Sequence, residues 1–184
     1  REAKGSTYEG GARVPCLVRW PGKVPAGRVS DALFASLDFL PTFGQLAGYE
    51  LPRDRIIEGV DQTELLLGRS RHGARDHFHY FSKNELHGIR QGPWKLLLPD
   101  RRVFYDYVKD RGTKDAELYQ LESDPGETTD VAPEHPEVVR DLGRRLDAWL
   151  AEDTQQDRDY HISPELREAL RSLVISQRLL GTNE

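Results

Sequence analysis

Glu85-Leu-His-Gly-Ile-Arg-Gln-Gly-Pro-Trp-Lys-Leu-Leu-Leu98 reads as two short strands, Glu85 to Gln91 and Trp94 to Leu98, separated by the turn pair Gly92-Pro93. Around it the same pattern recurs. His77 to Ser82, Val103 to Val108 and Leu118 to Leu121 are further short strand candidates, and Asp124-Pro-Gly126 punctuates the end of the series. Short strands in sequence with tight turns predict a small antiparallel sheet. A long amphipathic helix follows from about Pro136 to Glu152. Its Val138, Leu142, Leu146, Trp149 and Leu150 recur at three- and four-residue steps, giving one apolar stripe to lay on that sheet. Beyond it, residues 153–161 read as a polar linker. Ser163 and Pro164 then open a last helix with Leu166, Leu170, Leu173 and Val174 on one face.

On the N-terminal side the pattern differs. Residues 4–11 form a loop by composition, with Gly5, Gly10 and Gly11. Val14 to Trp20 is a short apolar run closed by Pro21-Gly22, the pattern of a strand covered on both faces. Ala32 to Leu37 is a second strand candidate. Asp38 is placed to cap a helix over Phe39 to Ala47, with Pro41 in its first turn and Gly48 past its end.

Composition narrows the function. No apolar run in the 184 residues approaches the ~20 that a membrane-spanning helix needs, so no membrane partner is expected. One cysteine, Cys16, cannot form an internal disulfide or a cysteine-rich zinc site. The net charge of −5 gives no support to a nucleic-acid surface, and the pairs Arg101-Arg102 and Arg144-Arg145 read as solvated faces. The chain has no Met and starts at Arg1, which predicts a piece of a longer protein.

Few residues carry chemistry on spacing alone. Lys4-Gly-Ser-Thr7 has the letters of a phosphate loop in the wrong order, with a strand candidate rather than a helix after it. What remains is a Lys on a Gly loop that either brings a point charge to an oxyanion or stands exposed on a turn. His77 and His79 would share a strand face at metal spacing, but no third ligand is evident. Gly68-Arg-Ser-Arg-His-Gly73 lacks the spacing of a serine-hydrolase elbow. Cys16 falls in an apolar run, where a buried thiol stays protonated and inert. Glu127 and its neighbours lack the alternating ligands of a calcium loop.

Taken together, the motifs resemble those of the sulfatases. Lys4-Gly-Ser-Thr-Tyr-Glu-Gly-Gly-Ala-Arg-Val-Pro15 is similar to the family's Gly-Lys-Gly-Thr-Thr-x-Glu-Gly-Gly-x-Arg-x-Pro. Similarities continue in order through Arg19-Trp-Pro-Gly22, Ser36-Leu-Asp-Phe-Leu-Pro-Thr42 with Leu46-Ala-Gly48, and Glu58-Gly-Val-Asp61 with Leu65-Leu-Leu-Gly68. They run on through Ile89-Arg-Gln-Gly-Pro-Trp-Lys95 and Leu118-Tyr-Gln-Leu-Glu-Ser-Asp-Pro-Gly-Glu127. Residues 153–184 carry no such match.

The resemblance implies an α/β fold: the end of an alkaline-phosphatase-like mixed sheet, then a C-terminal subdomain of four-stranded antiparallel sheet packed on a long helix. The expected division is 1–70 for the end of the catalytic domain, 71–152 for the subdomain and 153–184 for a linker and helical extension. The family's formylglycine nucleophile and its Ca2+ ligands would lie outside this chain, which has no Cys/Ser-x-Pro-Ser/Ala-Arg motif and contributes no metal ligand. Lys4 matches the family's sulfate-contacting Lys. Glu9 and Arg13 are expected to support its loop. Asn84, Glu85 and His87 are candidates for selecting substrate, the alternative being a polar hairpin tip. The implied partners are a small sulfate ester or sulfated glycan and the rest of the same polypeptide, and the piece alone is expected to be inactive. Two alternatives stand beside this reading: a phosphodiesterase or phosphonate hydrolase of the same superfamily, and a non-catalytic interaction module.

Overall fold

The computed structural model describes residues 1–82, 85–99, 114–154 and 168. In chain order the elements are α1 (Glu9–Ala12), a 3-10 turn (Ser36–Asp38), α2 (Phe39–Ala47), α3 (Thr63–Leu66), β1 (His77–Ser82), β2 (Glu85–Gln91), β3 (Trp94–Leu97), β4 (Glu117–Gln120) and α4 (Pro136–Thr154). The strand expected over 103–108 and the helix expected from Pro164 lie outside the described residues. The chain divides into two compact units. One joins Arg1–Val14 to His79–Glu184; the other is Pro15–Phe78.

The first unit is built on a sheet of order β1-β2-β3-β4. Strands β2 and β3 pair antiparallel from Gly88↔Leu97 to Gln91↔Trp94, and β3 and β4 from Trp94↔Gln120 to Leu97↔Glu117. The Gly92-Pro93 turn sits where it was expected, with Gly92 at φ +54°. Strand alternation sends Leu96 and Leu118 to one face, where they meet Val139, Leu142, Leu146 and Leu150 of α4. Each such side chain, once fully buried, contributes roughly 1.5–3 kcal/mol. Val138 and Trp149 pack at the margin of this core, and the Trp149 ring lies 4.5 Å from that of His79. Leu86 and Ile89, three residues apart, both enter the same core, so the two-residue alternation breaks between them. The opposite face carries Leu97, Tyr119 and Leu121 with Tyr8 of the N-terminal loop, and Lys95 and Glu117 share its parity.

The second unit departs from the strand readings. Neither 14–20 nor 32–37 is a strand. An apolar run becomes a strand only when a neighbour completes its hydrogen-bond ladder, and no strand pairs with either run among the described residues. Val14 is 76 % exposed and Leu17 96 %. Cys16 is exposed rather than enclosed in an apolar strand.

Helix α2 forms as expected and ends at Gly48 in the left-handed region. Asp38, expected to cap this helix, makes no capping hydrogen bond to it, because its side chain is turned to other partners. Its carboxylate is fully buried and accepts the N–H groups of Ala35 and Val60, both at 2.9 Å, and the Nε of Arg75, also at 2.9 Å. Arg75 also donates to the carbonyls of Glu58 and His77. Thr42 Oγ1 donates to the Asp38 carbonyl at 2.6 Å and accepts Gln62 N–H at 3.0 Å, while Gln62 bridges Leu33 and Ala74. Three segments distant in sequence are thus tied to one carboxylate.

Burial pushes the Asp38 carboxyl up, but the Arg75 hydrogen bond and the two backbone N–H groups outweigh it and hold it below its ordinary 3.8. A depressed folded-state value means that its stabilisation is complete above the ordinary value and is lost as pH falls through the lower one. Asp38→Ala is expected to destabilise the protein by about 3–5 kcal/mol, the cost of leaving the buried Arg75 without its partner. Denaturant midpoints at neutral pH check this, and the deficit should shrink on acidification below the ordinary Asp range.

Candidate functional site

Glu-Gly-Gly-Ala has weak helix propensity, yet Glu9–Ala12 forms one helical turn, with Gly11 and Ala12 N–H donating to the Tyr8 carbonyl and Arg13 N–H to that of Glu9. Tertiary packing explains it. A Cβ on Gly10 would lie 2.0 Å from the Glu2 carbonyl oxygen and 2.6 Å from that of Arg1. One on Gly11 would lie 2.3 Å from Ser6 O and 2.7 Å from Ala3 O. Residues 1–6 therefore fold directly over the helical turn, and only glycine allows that approach.

The turn is anchored to the sheet through Glu9, which is 5 % exposed. Its Oε1 accepts from Lys95 Nζ at 2.9 Å and from the Tyr80 hydroxyl at 3.3 Å. Lys95 is fully buried; its Nζ also lies 2.8 Å from Glu127 Oε1 and 4.3 Å from the centre of the Tyr80 ring. Glu127 in turn accepts the backbone N–H of Glu9, and Arg90 approaches Glu9 Oε2 at 3.8 Å. Two cations and two carboxylates balance in a protein-enclosed cluster. Burial first, then the Glu9 charge, pushes the Tyr80 phenol well above its ordinary value, so it remains a donor.

A second anchor lies beside it. Glu117 accepts from Tyr8 at 2.9 Å and from Tyr119 at 2.7 Å, with Arg1 at 3.3 Å from the same carboxylate. Burial, then the hydrogen bond to Glu117, raises the Tyr119 phenol. Thr7 Oγ1 sits 3.3 Å from His87 Nδ1 within the buried seam.

The candidate residues thus fall into different settings. Lys4 lies on a turn and is exposed, and it makes no ion pair among the described residues. Glu9 is drawn to Lys95, Arg90 and Glu127, while Arg13 is exposed just past the helical turn. His87 is 4 % exposed and faces Thr7; Glu85 is half-buried at the start of β2; Asn84 lies outside the described residues. His77 pairs with Asp76, and His79 is an aromatic partner of Trp149. Among the described residues no three His, Cys, Asp or Glu side chains converge to hold a cation.

Spacing alone gives Lys95 and Glu127 no site role, although both stand in the quoted motifs. Their signals were a lone charge in the apolar run Trp94 to Leu98 and a Glu just after Asp-Pro-Gly. Glu127 also takes φ +53°, uncommon for a residue with a side chain.

Gly10→Ala is expected to release residues 1–13 from this face. The Gly11 and Arg13 amides should then exchange hydrogen faster while that of Leu96, inside the sheet, keeps its protection. Unchanged exchange at Gly11 and Arg13 would show that the loop accommodates a Cβ there.

Residues 3–152 match the family described as N-sulphoglucosamine sulphohydrolase, C-terminal. An N-acetylgalactosamine-6-O-sulfatase of Bacteroides thetaiotaomicron is 32% identical over 151 residues, covering 80% of this chain and 29% of the relative. Arylsulfatase G of Rattus norvegicus is 35% identical over 179 residues, covering 88% of this chain and 34% of the relative. The crystal structure of a sulfatase from Pseudoalteromonas sp. superposes with a TM-score of 0.72 at 26% identity, over 88% of this chain and 34% of that one. The chain therefore spans about a third of the length of the curated relatives it matches.

Proposed function

The chain belongs to the sulfatase family, whose C-terminal part it represents, and on that premise we propose that the whole protein hydrolyses a sulfate ester with Lys4 as a sulfate contact. A contrast within one loop carries this reading. Thr7, Tyr8 and Glu9 are buried and bonded to the sheet, whereas Lys4 is left exposed at the start of the same segment. A rigid backbone presenting a cation suits an anionic group. As the ester S–O bond breaks, charge grows on the sulfate oxygens and on the leaving oxygen, and a fixed ammonium offsets it.

Glu9 supports the loop in this reading through its contacts with Lys95 and Glu127. Arg13, Asn84, Glu85 and His87 remain assigned by resemblance, the first to loop support and the others to substrate selection. The nucleophile and the cation site are assigned to the part of the family's length outside these residues. The name of the Bacteroides relative points to a sulfated sugar; for this protein the proposed substrate is a small sulfate ester or a sulfated glycan. The exposed Val14, Leu17 and Val29 are consistent with an apolar surface covered by the rest of the polypeptide.

In the whole enzyme, Lys4→Ala is expected to lower kcat on an aryl sulfate by about 10²–10³-fold, the size of effect seen when one such donor is removed. A near-normal rate would take Lys4 out of the site. Parallel assays on the matching phosphate esters decide between sulfatase and phosphoesterase activity. The 184 residues alone are expected to turn over neither ester; measurable hydrolysis by that piece would overturn the division of labour proposed here.

A further inference from the structure

A sulfate contact at Lys4 does not by itself explain why a second lysine lies sealed beneath its loop. A buried ammonium is costly unless paired, and a well-packed apolar residue is often as stable in its place. Lys95 sits between Trp94 and Leu96 in β3, where an apolar side chain would fit the run, yet it is fully enclosed between Glu9 and Glu127 at 2.9 and 2.8 Å. Only one of these partners belongs to the same sheet-and-turn framework. The other, Glu9, is the anchor of the N-terminal loop.

From Glu9 a short, stiff path leads to Lys4. Glu9 opens the helical turn α1, and Gly10 and Gly11 press that turn against the carbonyls of Arg1, Glu2, Ala3 and Ser6. Gly10 N–H donates to Arg1 O at 3.2 Å, and Ser6 N–H donates to Ala3 O at 3.2 Å, closing the turn that contains Lys4. Peptide groups on both sides of Lys4 are therefore held against a helical turn that Lys95, Glu127 and Glu117 together tie to the sheet, leaving the Lys4 side chain exposed.

We propose that Lys95 is a positioning residue for Lys4: its buried ammonium, by holding Glu9, sets where the Lys4 backbone stands. This rests on the reading of Lys4 as the sulfate contact. Loss of the Lys95 charge leaves Glu9 and Glu127 facing each other, and their repulsion displaces the helical turn and Lys4 with it.

The test is a double-mutant cycle in the whole enzyme, with kcat and KM for an aryl sulfate measured for Lys4→Ala, Lys95→Met and the pair, and folding checked by thermal melting. Lys95→Met is expected to lower kcat on the order of 10- to 100-fold, as for a displaced catalytic group, with a smaller change in KM. In the Lys4→Ala background the same change should cost little, because both act through one contact. A residue that only stabilises the fold would instead lower the melting temperature and leave kcat per folded molecule intact. Equal losses in both backgrounds, or a normal kcat for Lys95→Met, overturn the proposal while the effect of Lys4→Ala upholds the sulfate contact. A normal kcat for Lys4→Ala overturns both. If Lys95→Met fails to fold, Glu127→Gln, which unbalances the same cluster while keeping its shape, replaces it in the cycle and is read by the same criteria.

Discussion

An ammonium group without water must be surrounded by negative charge and oriented electrons, and Lys95 obtains both from several directions. Glu9 arrives from the N-terminal loop, Glu127 from the turn after β4, and the face of Tyr80 from β1. Arg90 of β2, 3.8 Å from Glu9 Oε2, restores neutrality across the cluster. Each partner brings its own backbone segment, so one charge on β3 determines how the loop, the turn and the strands meet on this face. The apolar core on the opposite face supplies most of the burial but little of this specificity, because aliphatic contacts tolerate more than one arrangement.

The second unit uses the same device with the charge reversed. There the enclosed group is the carboxylate of Asp38, and Arg75 and two backbone N–H groups answer it. Both arrangements share a logic: a small piece of chain with little regular structure gains a unique path by converging on one ion. In the second unit this matters more, since the runs at 14–20 and 32–37 contribute no ladder of their own.

The sheet and α4 were legible because their periods are local. The short run Trp94 to Leu98 behind its Gly-Pro turn and the stripe from Leu142 to Leu150 can be read without knowing the neighbours. What failed to be legible depends on partners far along the chain. Val14 to Trp20 has the composition of a covered strand, but composition says nothing of which strand would pair with it. Glu-Gly-Gly reads as loop, and becomes helical because residues 1–6 cover it. Asp38 reads as a helix cap, but its carboxylate serves Ala35, Val60 and an arginine 37 residues on instead. Lys95 stands in the sequence as a lone charge in an apolar run, and what encloses it, Glu9, Glu127 and Tyr80, comes from three distant segments. Lys4 was reached through resemblance; spacing alone left it between an oxyanion contact and a surface turn.

The contact between Lys95 and Glu9 spans 86 residues, and those from Glu9 to Glu127 and Tyr8 to Glu117 span 118 and 109. Closing loops of this length carries an entropy cost that must be met before any of the bonds forms. During synthesis the glycine-rich segment emerges before its anchors, so it has nothing to hold until β3, β4 and the turn at Glu127 have been made. A chain that stops short of Glu127 would leave Lys95 half-neutralised and the loop unseated. The order of assembly thus makes the seating of this loop a late event that reports on completion of the small sheet.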